Sequence, residues 1–158
     1  EGERWLPLHG IFRLSDVTEA YTALAAALAD RREELASRQI TVSLLTVTSG
    51  DTIVIEPHLF WPDGLHQFHR NHVTDEQLRR YGDLPERPEL RALAHALRRE
   101  LGSVLYEAGA EHLQIGRHYP FEQDMDPVRL KLLLALKRHV DPKGIMAPGV
   151  LFNKNNAA

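Results

Sequence analysis

At 158 residues, 43% of them hydrophobic and 26% charged, the chain is long enough for one domain with a real core. Its net charge of −3 gives no electrostatic case for nucleic acid or an anionic membrane surface. The lack of cysteine excludes disulfides and thiolate metal sites and suits the cytoplasm, and no run reaches the roughly 18 apolar residues of a membrane span.

The chain opens Glu1-Gly2-Glu3-Arg4 and passes directly into "WLPLHGIF", as expected of an internal position in a longer polypeptide. Residues 5–13 predict a strand, with Pro7 at an end or an edge. Ser15 offers an N-cap, and Asp16 and Glu19 suit the first turn of a helix running to about residue 37. Val17, Tyr21, Leu24, Leu28 and Leu35 keep helical spacing along it. "ITVSLLTVT" and "TIVIEPHLF", joined through Ser49-Gly50-Asp51, predict a hairpin whose second ladder Pro57 breaks or moves to an edge. The order β-α-β-β is most of a split βαβ layer.

"WPDGLHQFHRNH" is irregular and polar-aromatic, and Thr74 with Gln77 predicts a capping box on a short helix. "YGDLPERP" reads as a linker, after which Pro88 opens a long helix. Leu90, Leu93, Leu97, Leu101, Val104 and Leu105 form its apolar stripe, and Gly109 terminates it. Asp126-Pro127 caps "VRLKLLLALKRHV", apolar on more than one face and so expected to be well buried, and Asp141-Pro142 ends it. "KGIMAPGVLF" is an irregular tail, and residues 153–158 are expected to fray. The fold class is α+β, one domain over residues 1–152, with a ferredoxin-like antiparallel sheet covered by helices and a helical C-terminal part.

His66, His69 and His72 have i, i+3, i+6 spacing, but no acidic or cysteine partner accompanies them and HExxH is absent, so a solvated polar loop is the reading preferred over metal. Glu56 and His58 flank Pro57 on one strand face and could meet a ligand together, against the alternative of an ordinary polar edge strand. His9, on the first strand with Trp5, has a similar but weaker case. The densest chemistry lies in "EHLQIGRHYPF", residues 111–121. Gly116 could let the backbone turn sharply or approach a ligand, and Arg117 offers a fork for a carboxylate or phosphate. His112 could act as base or ligand, and Tyr119 as donor to an oxyanion. The competing reading has Tyr119 and Phe121 sealing the core and His112 making one buried hydrogen bond. GxxxxGK[ST], GxGxxG and GxSxG are all absent, so the chain reads as half of a site.

"HLQIGRHYPF" followed by "LLLALKRHVDPKGIMAPGVL" resembles the C-terminal end of FAD-linked oxidases of the vanillyl-alcohol oxidase and p-cresol methylhydroxylase type, with the related D-lactate dehydrogenase and glycolate oxidase subunits. The match is carried by Asp141, Pro142, Gly144, Ile145, Met146, Ala147, Pro148 and Gly149, with Val150 where many members have lysine. The β-α-β-β order is similar to that family's substrate (cap) domain. The resemblance implies the C-terminal substrate-binding part of an FAD-dependent oxidoreductase that dehydrogenates a small hydroxy-acid or alcohol/phenolic substrate by hydride transfer to flavin. It implies an N-terminal FAD-binding domain of the same polypeptide as partner, holding the cofactor. His112 and Tyr119 become the expected catalytic residues, with Gln114, Gly116, Arg117, Glu56, His58 and His9 facing substrate and cofactor. The H-x-G-D-G-N motif of the hydroxy-acid branch is absent, so no metal is carried over. An isolated cap is expected to expose apolar surface and self-associate as a homo-oligomer. The other class of function is a free-standing ferredoxin-like module that binds a ligand or dimerises without a redox role.

Overall fold

The computed structural model describes residues 3–112, 114, 116–119, 121–123 and 125–152, so the tail expected to fray lies outside the described residues. The chain forms two compact units, Glu1–Glu111 and His112–Ala158.

In the first unit β1 (Glu3–Pro7) and β2 (Gly10–Arg13) run in line along one edge of β4 (Thr52–Pro62), and β3 (Thr41–Ser49) lies along the other, all antiparallel. Pro7 opposite His58 and Gly10 opposite Ile55 belong to one register, so Leu8 and His9 pass Pro57 and Glu56. Pro57 was expected to break a ladder or mark an edge, and it does the first in the central strand. Leu8 N–H donates to the Pro57 carbonyl at 3.1 Å, and proline has no N–H to return the bond. That single missing donor separates β1 from β2.

The hairpin turns at Gly50, whose φ of +62° is reached without strain only by glycine. After it the chain returns through α5 (Pro88–Glu107), which ends as expected at Gly109, φ +86°. Ala110 leads to Glu111, which exchanges backbone hydrogen bonds with Ile11 at 2.8 and 3.0 Å. With β1 and β2 counted as one interrupted strand, this isolated bridge on the outer edge of β2 stands in the place of the last strand of a ferredoxin-like order. The fold is α+β.

Leu8, Phe12, Ile55, Leu59 and Trp61 face α5 and α1 (Val17–Asp30), and Leu90, Ala94, Leu97, Leu101 and Leu105 answer them from α5. From α1 the buried residues are Ala20 and Leu24, while Tyr21, expected in the stripe, is 54% exposed beside β3. The helix expected to reach residue 37 breaks at Arg31, and α2 (Arg32–Ser37) follows. Arg31 turns its guanidinium to Glu100 of α5 at 2.7 Å and to Glu34 at 2.9 Å. Asp16, not Ser15, is the N-cap of α1, and the Ser15 hydroxyl donates to its carboxylate at 2.7 Å. After β4 come α3 (Gln67–Arg70) and α4 (Asp75–Tyr81), the latter opened by the Thr74–Gln77 capping box.

The second unit carries α6 (Pro127–Val140), capped by Asp126, whose carboxylate accepts from Val128 and Arg129 N–H. The expectation of a well-buried helix fails here. None of its residues is buried, and Val128, Leu132, Leu136 and Val140, four apart on one face, are 55–76% exposed. Leu130, Leu133, Leu134 and Lys137 make the half-buried stripe instead. A doubly apolar helix can cover two surfaces, and among the described residues only one stripe is used.

Candidate functional site

Period-2 alternation along β4 splits its side chains cleanly: Ile55, Pro57, Leu59 and Trp61 are buried in the core, and Val54, Glu56, His58 and Phe60 lie on the opposite face. Register brings Trp5 beside Phe60, Pro7 and Ser43 beside His58, and Leu45 beside Glu56. His58 is the centre of this face. Its ring meets the edge of Trp5 at 5.5 Å and that of Phe60 at 6.2 Å. Its Nε2 lies 3.5 Å from Glu56 Oε1, an ion-pair distance, yet the atom is inaccessible and has no hydrogen-bond partner among the described residues. An imidazole nitrogen without a hydrogen-bond partner, with a carboxylate beside it, offers a bound hydroxyl a place to donate. Glu56 and His58 thus share a face as alternation required, but in the central strand and not on an edge. His9 passes Glu56 in the same register and is 4% exposed.

In the second unit the two segments that carry the family resemblance meet. Arg117 Nη2 donates to the Pro148 carbonyl at 3.0 Å, and the rings of Phe121 and Phe152 meet edge-on at 5.7 Å. The rings of His112 and Tyr119, both half-buried, lie 4.6 Å apart between centroids and are tilted by 40°. Gln114 and Arg117 are exposed. Gly116 lies in a bend that leads into the turn at Arg117 and His118, and among the described residues no atom comes within 4 Å of an added Cβ there.

Asp141 explains the chemistry of "DPKGIM". Its buried carboxylate accepts from Ile145 and Met146 N–H, each at 3.0 Å, and from Lys137 Nζ at 2.5 Å. Lys137 holds the Asp141 carboxyl below the usual carboxylate value, with burial opposing and the two N–H groups helping. Gly144, φ +60°, lets the chain fold back over its own aspartate. The sequence marked this stretch as a helix end and as a motif, and the buried carboxylate at its centre was not legible there.

A further anchor was missed entirely. Asp63, read as part of an irregular segment, is inaccessible and accepts from Gly64 N–H at 2.8 Å, Arg87 N–H at 2.7 Å and Arg91 Nε at 2.5 Å. Burial pushes its carboxyl up, but Arg91 and the two backbone donors together hold it below the ordinary value. Arg4, on the neighbouring strand, donates to the Gly64 carbonyl. The histidines next to this corner do not gather around a metal: among the described residues no group of three or more His, Asp or Glu could hold one. His66 and His69 are 5.7 Å apart, and His72 stacks on Phe68 at 4.4 Å with Nδ1 against the Phe68 carbonyl. Burial lowers the His69 pKa, and Arg4 lowers it further.

Comparison with known proteins finds no matching family model, no matching curated protein and no matching solved structure. The functional reading therefore rests on the residues of this chain. No helix among the described residues is long and apolar enough to cross a membrane.

Proposed function

We propose that the chain is the C-terminal substrate-binding part of an FAD-dependent oxidoreductase acting on a small hydroxy acid or an alcohol/phenolic substrate. The observation that carries this reading is the His58 nitrogen, desolvated and lacking a hydrogen-bond partner, beside Glu56 on a sheet face that bears no helix in its own unit. The two motifs that resemble FAD-linked oxidases, joined through Arg117 and Pro148, support it independently.

The fit to FAD is one-sided. The sequence has no glycine-rich phosphate cradle, so the dinucleotide end falls to an N-terminal FAD-binding domain of the same polypeptide. The ring end suits this chain, with the aromatic rings of Trp5 and Phe60 edge-on to the one proton acceptor, His58. FAD, when bound, accepts the hydrogen and electron pair that leave the substrate carbon. His58 accepts the proton of the substrate hydroxyl, which supplies the partner its nitrogen lacks. Glu56 holds the charge that appears on the imidazole, and the two aromatic rings exclude water from it. In the C-terminal unit the reading keeps His112 and Tyr119 as proton-handling residues and assigns Gln114, Gly116 and Arg117 to substrate contacts.

The test begins with the full-length gene product, which should be yellow and release FAD on denaturation. Glycolate, D-lactate and vanillyl alcohol then serve as probes of anaerobic flavin reduction. His58→Gln should slow that reduction about 100-fold or more with flavin content unchanged. A colourless full-length protein that releases no FAD overturns the proposal. The reading that would replace it is a free-standing ferredoxin-like module, favoured by the strand order already complete at Glu111.

A further inference from the structure

β3 has one partner among the described residues, β4, and its other edge is open. Nine consecutive residues, "TVSLLTVTS", run along it without a charge, a proline or a glycine, although Leu45 and Val47 are 45% and 50% exposed. Free edges are ordinarily protected by lysine, proline, a bulge or shortness, and this one has none of these.

The hydrogen-bond phase of the sheet states which backbone groups are on offer. Leu8 donates to Pro57, so the backbone groups of Glu56 and His58 point the other way, towards Leu45 and Ser43. The groups of Val42, Leu44, Thr46 and Thr48 therefore point out of the open edge. A second copy laid antiparallel with Leu45 on the two-fold axis pairs Val42 with Thr48 and Leu44 with Thr46. Each pair exchanges both bonds, about eight in all across the axis. On one face Leu45 meets Leu45, and Ser43 meets Val47. On the other, Leu44 of each copy comes to Thr46, which lines a 260 Å³ apolar notch with Val17, Tyr21 and Ile53. Leu44 is 37% exposed, and the half-exposed Tyr21 stands at the notch, so each copy presents a knob and a matching hole. No like charges oppose one another anywhere along the strand.

We infer that the open β3 edge is a homodimer interface, two copies joining antiparallel through Thr41–Ser49 about an axis at Leu45 to make one continuous sheet. A partner strand of another protein would not need this self-match in register, hydrogen-bond phase and knob-to-notch fit.

The chain has no cysteine, so a single introduced thiol reports the register. Leu45→Cys lies in a non-hydrogen-bonded pair with Cα atoms about 4.5 Å apart, within disulfide reach. Ser43→Cys lies opposite Val47, about 13 Å from its own copy, and is out of reach. Both positions are exposed, and far-UV circular dichroism confirms that each variant is folded. Under mild oxidation Leu45→Cys should form a disulfide dimer about tenfold faster than Ser43→Cys or more. Thr46→Lys, which places a charge on the edge and in the notch, should turn a dimer into a monomer in sedimentation velocity. Equal cross-linking of the two cysteine variants, a folded Leu45→Cys protein that stays reduced and monomeric, or a dimer that survives Thr46→Lys each overturns the inference. None of these readouts uses flavin, so the result stands apart from the proposed oxidoreductase activity.

Discussion

Removing the Asp63 carboxylate should be the most damaging single polar change in the N-terminal unit. Its two oxygens receive Gly64 N–H, Arg87 N–H and two donors of Arg91, and its side chain has no accessible surface. Asp63→Ala orphans two backbone donors, at about 1–3 kcal/mol each when they remain buried. Breaking a buried ion pair by deleting one partner costs about 3–5 kcal/mol, but these terms describe the same bonds and do not add. Arg91 keeps Glu86 at 3.0 Å and is a quarter exposed, so water recovers part of the loss. The expected loss is about 3 kcal/mol, a large share of the 5–15 kcal/mol that holds a typical domain folded. Asp63→Asn should lose less, because one carbonyl oxygen can still accept from Gly64 and Arg87. Urea denaturation at neutral pH measures both, as a lower midpoint with an unchanged slope. A loss below about 1 kcal/mol for Asp63→Ala would refute the assignment of Asp63 as the anchor of this corner. The double variant Asp63→Ala/Arg91→Leu should recover part of the loss, since no uncompensated guanidinium is left.

Two further outcomes follow from the same groups. His69 folds with its proton affinity lowered by burial and by Arg4, so stability is full above the unfolded histidine value of about 6.5 and falls as pH drops through it; Asp63 and Asp141, both depressed, add a second loss only below about pH 4. In urea midpoints against pH, His69→Gln should abolish the first loss and leave the second. Asp141→Ala frees the Ile145 and Met146 N–H groups and the Lys137 ammonium, so amides 144–146 should exchange with deuterium much faster while those of α5 do not change.

How much of this could be read from the sequence depended on the range of the interaction. The hairpin was legible because Gly50-Asp51 and two β-branched runs specify it locally, and α5 because its leucines repeat over five turns. Alternation alone put Glu56 and His58 on one face. Trp5 and Phe60 joined them only through the β1–β4 register, which no local pattern announces. Asp63 was illegible for the same reason: its partners Arg87 and Arg91 lie 24 and 28 residues away. For α6 the period was correct and the conclusion was not. Periodicity tells which faces of a helix can be covered, and says nothing of whether a cover is present.

The two proposals constrain each other through the sheet itself. Leu45 stands opposite Glu56, so an axis at Leu45 puts the two Glu56–His58 pairs on the same face, three strand spacings or about 14 Å apart. That is closer than the width of any domain able to bind FAD, so a flat dimer would let only one site be covered. Strands twist by about 20–25° at each step, however, which turns the two faces roughly 65° apart over three steps. Covering domains then lean away from the axis in opposite directions along the strands, and both sites can be served. If the full-length protein binds FAD as proposed, its Leu45→Cys disulfide dimer should therefore retain one FAD per chain. A stoichiometry that falls to one FAD per disulfide dimer would mean that the β3 edge and the covered sheet face exclude each other, and that one chain cannot use both.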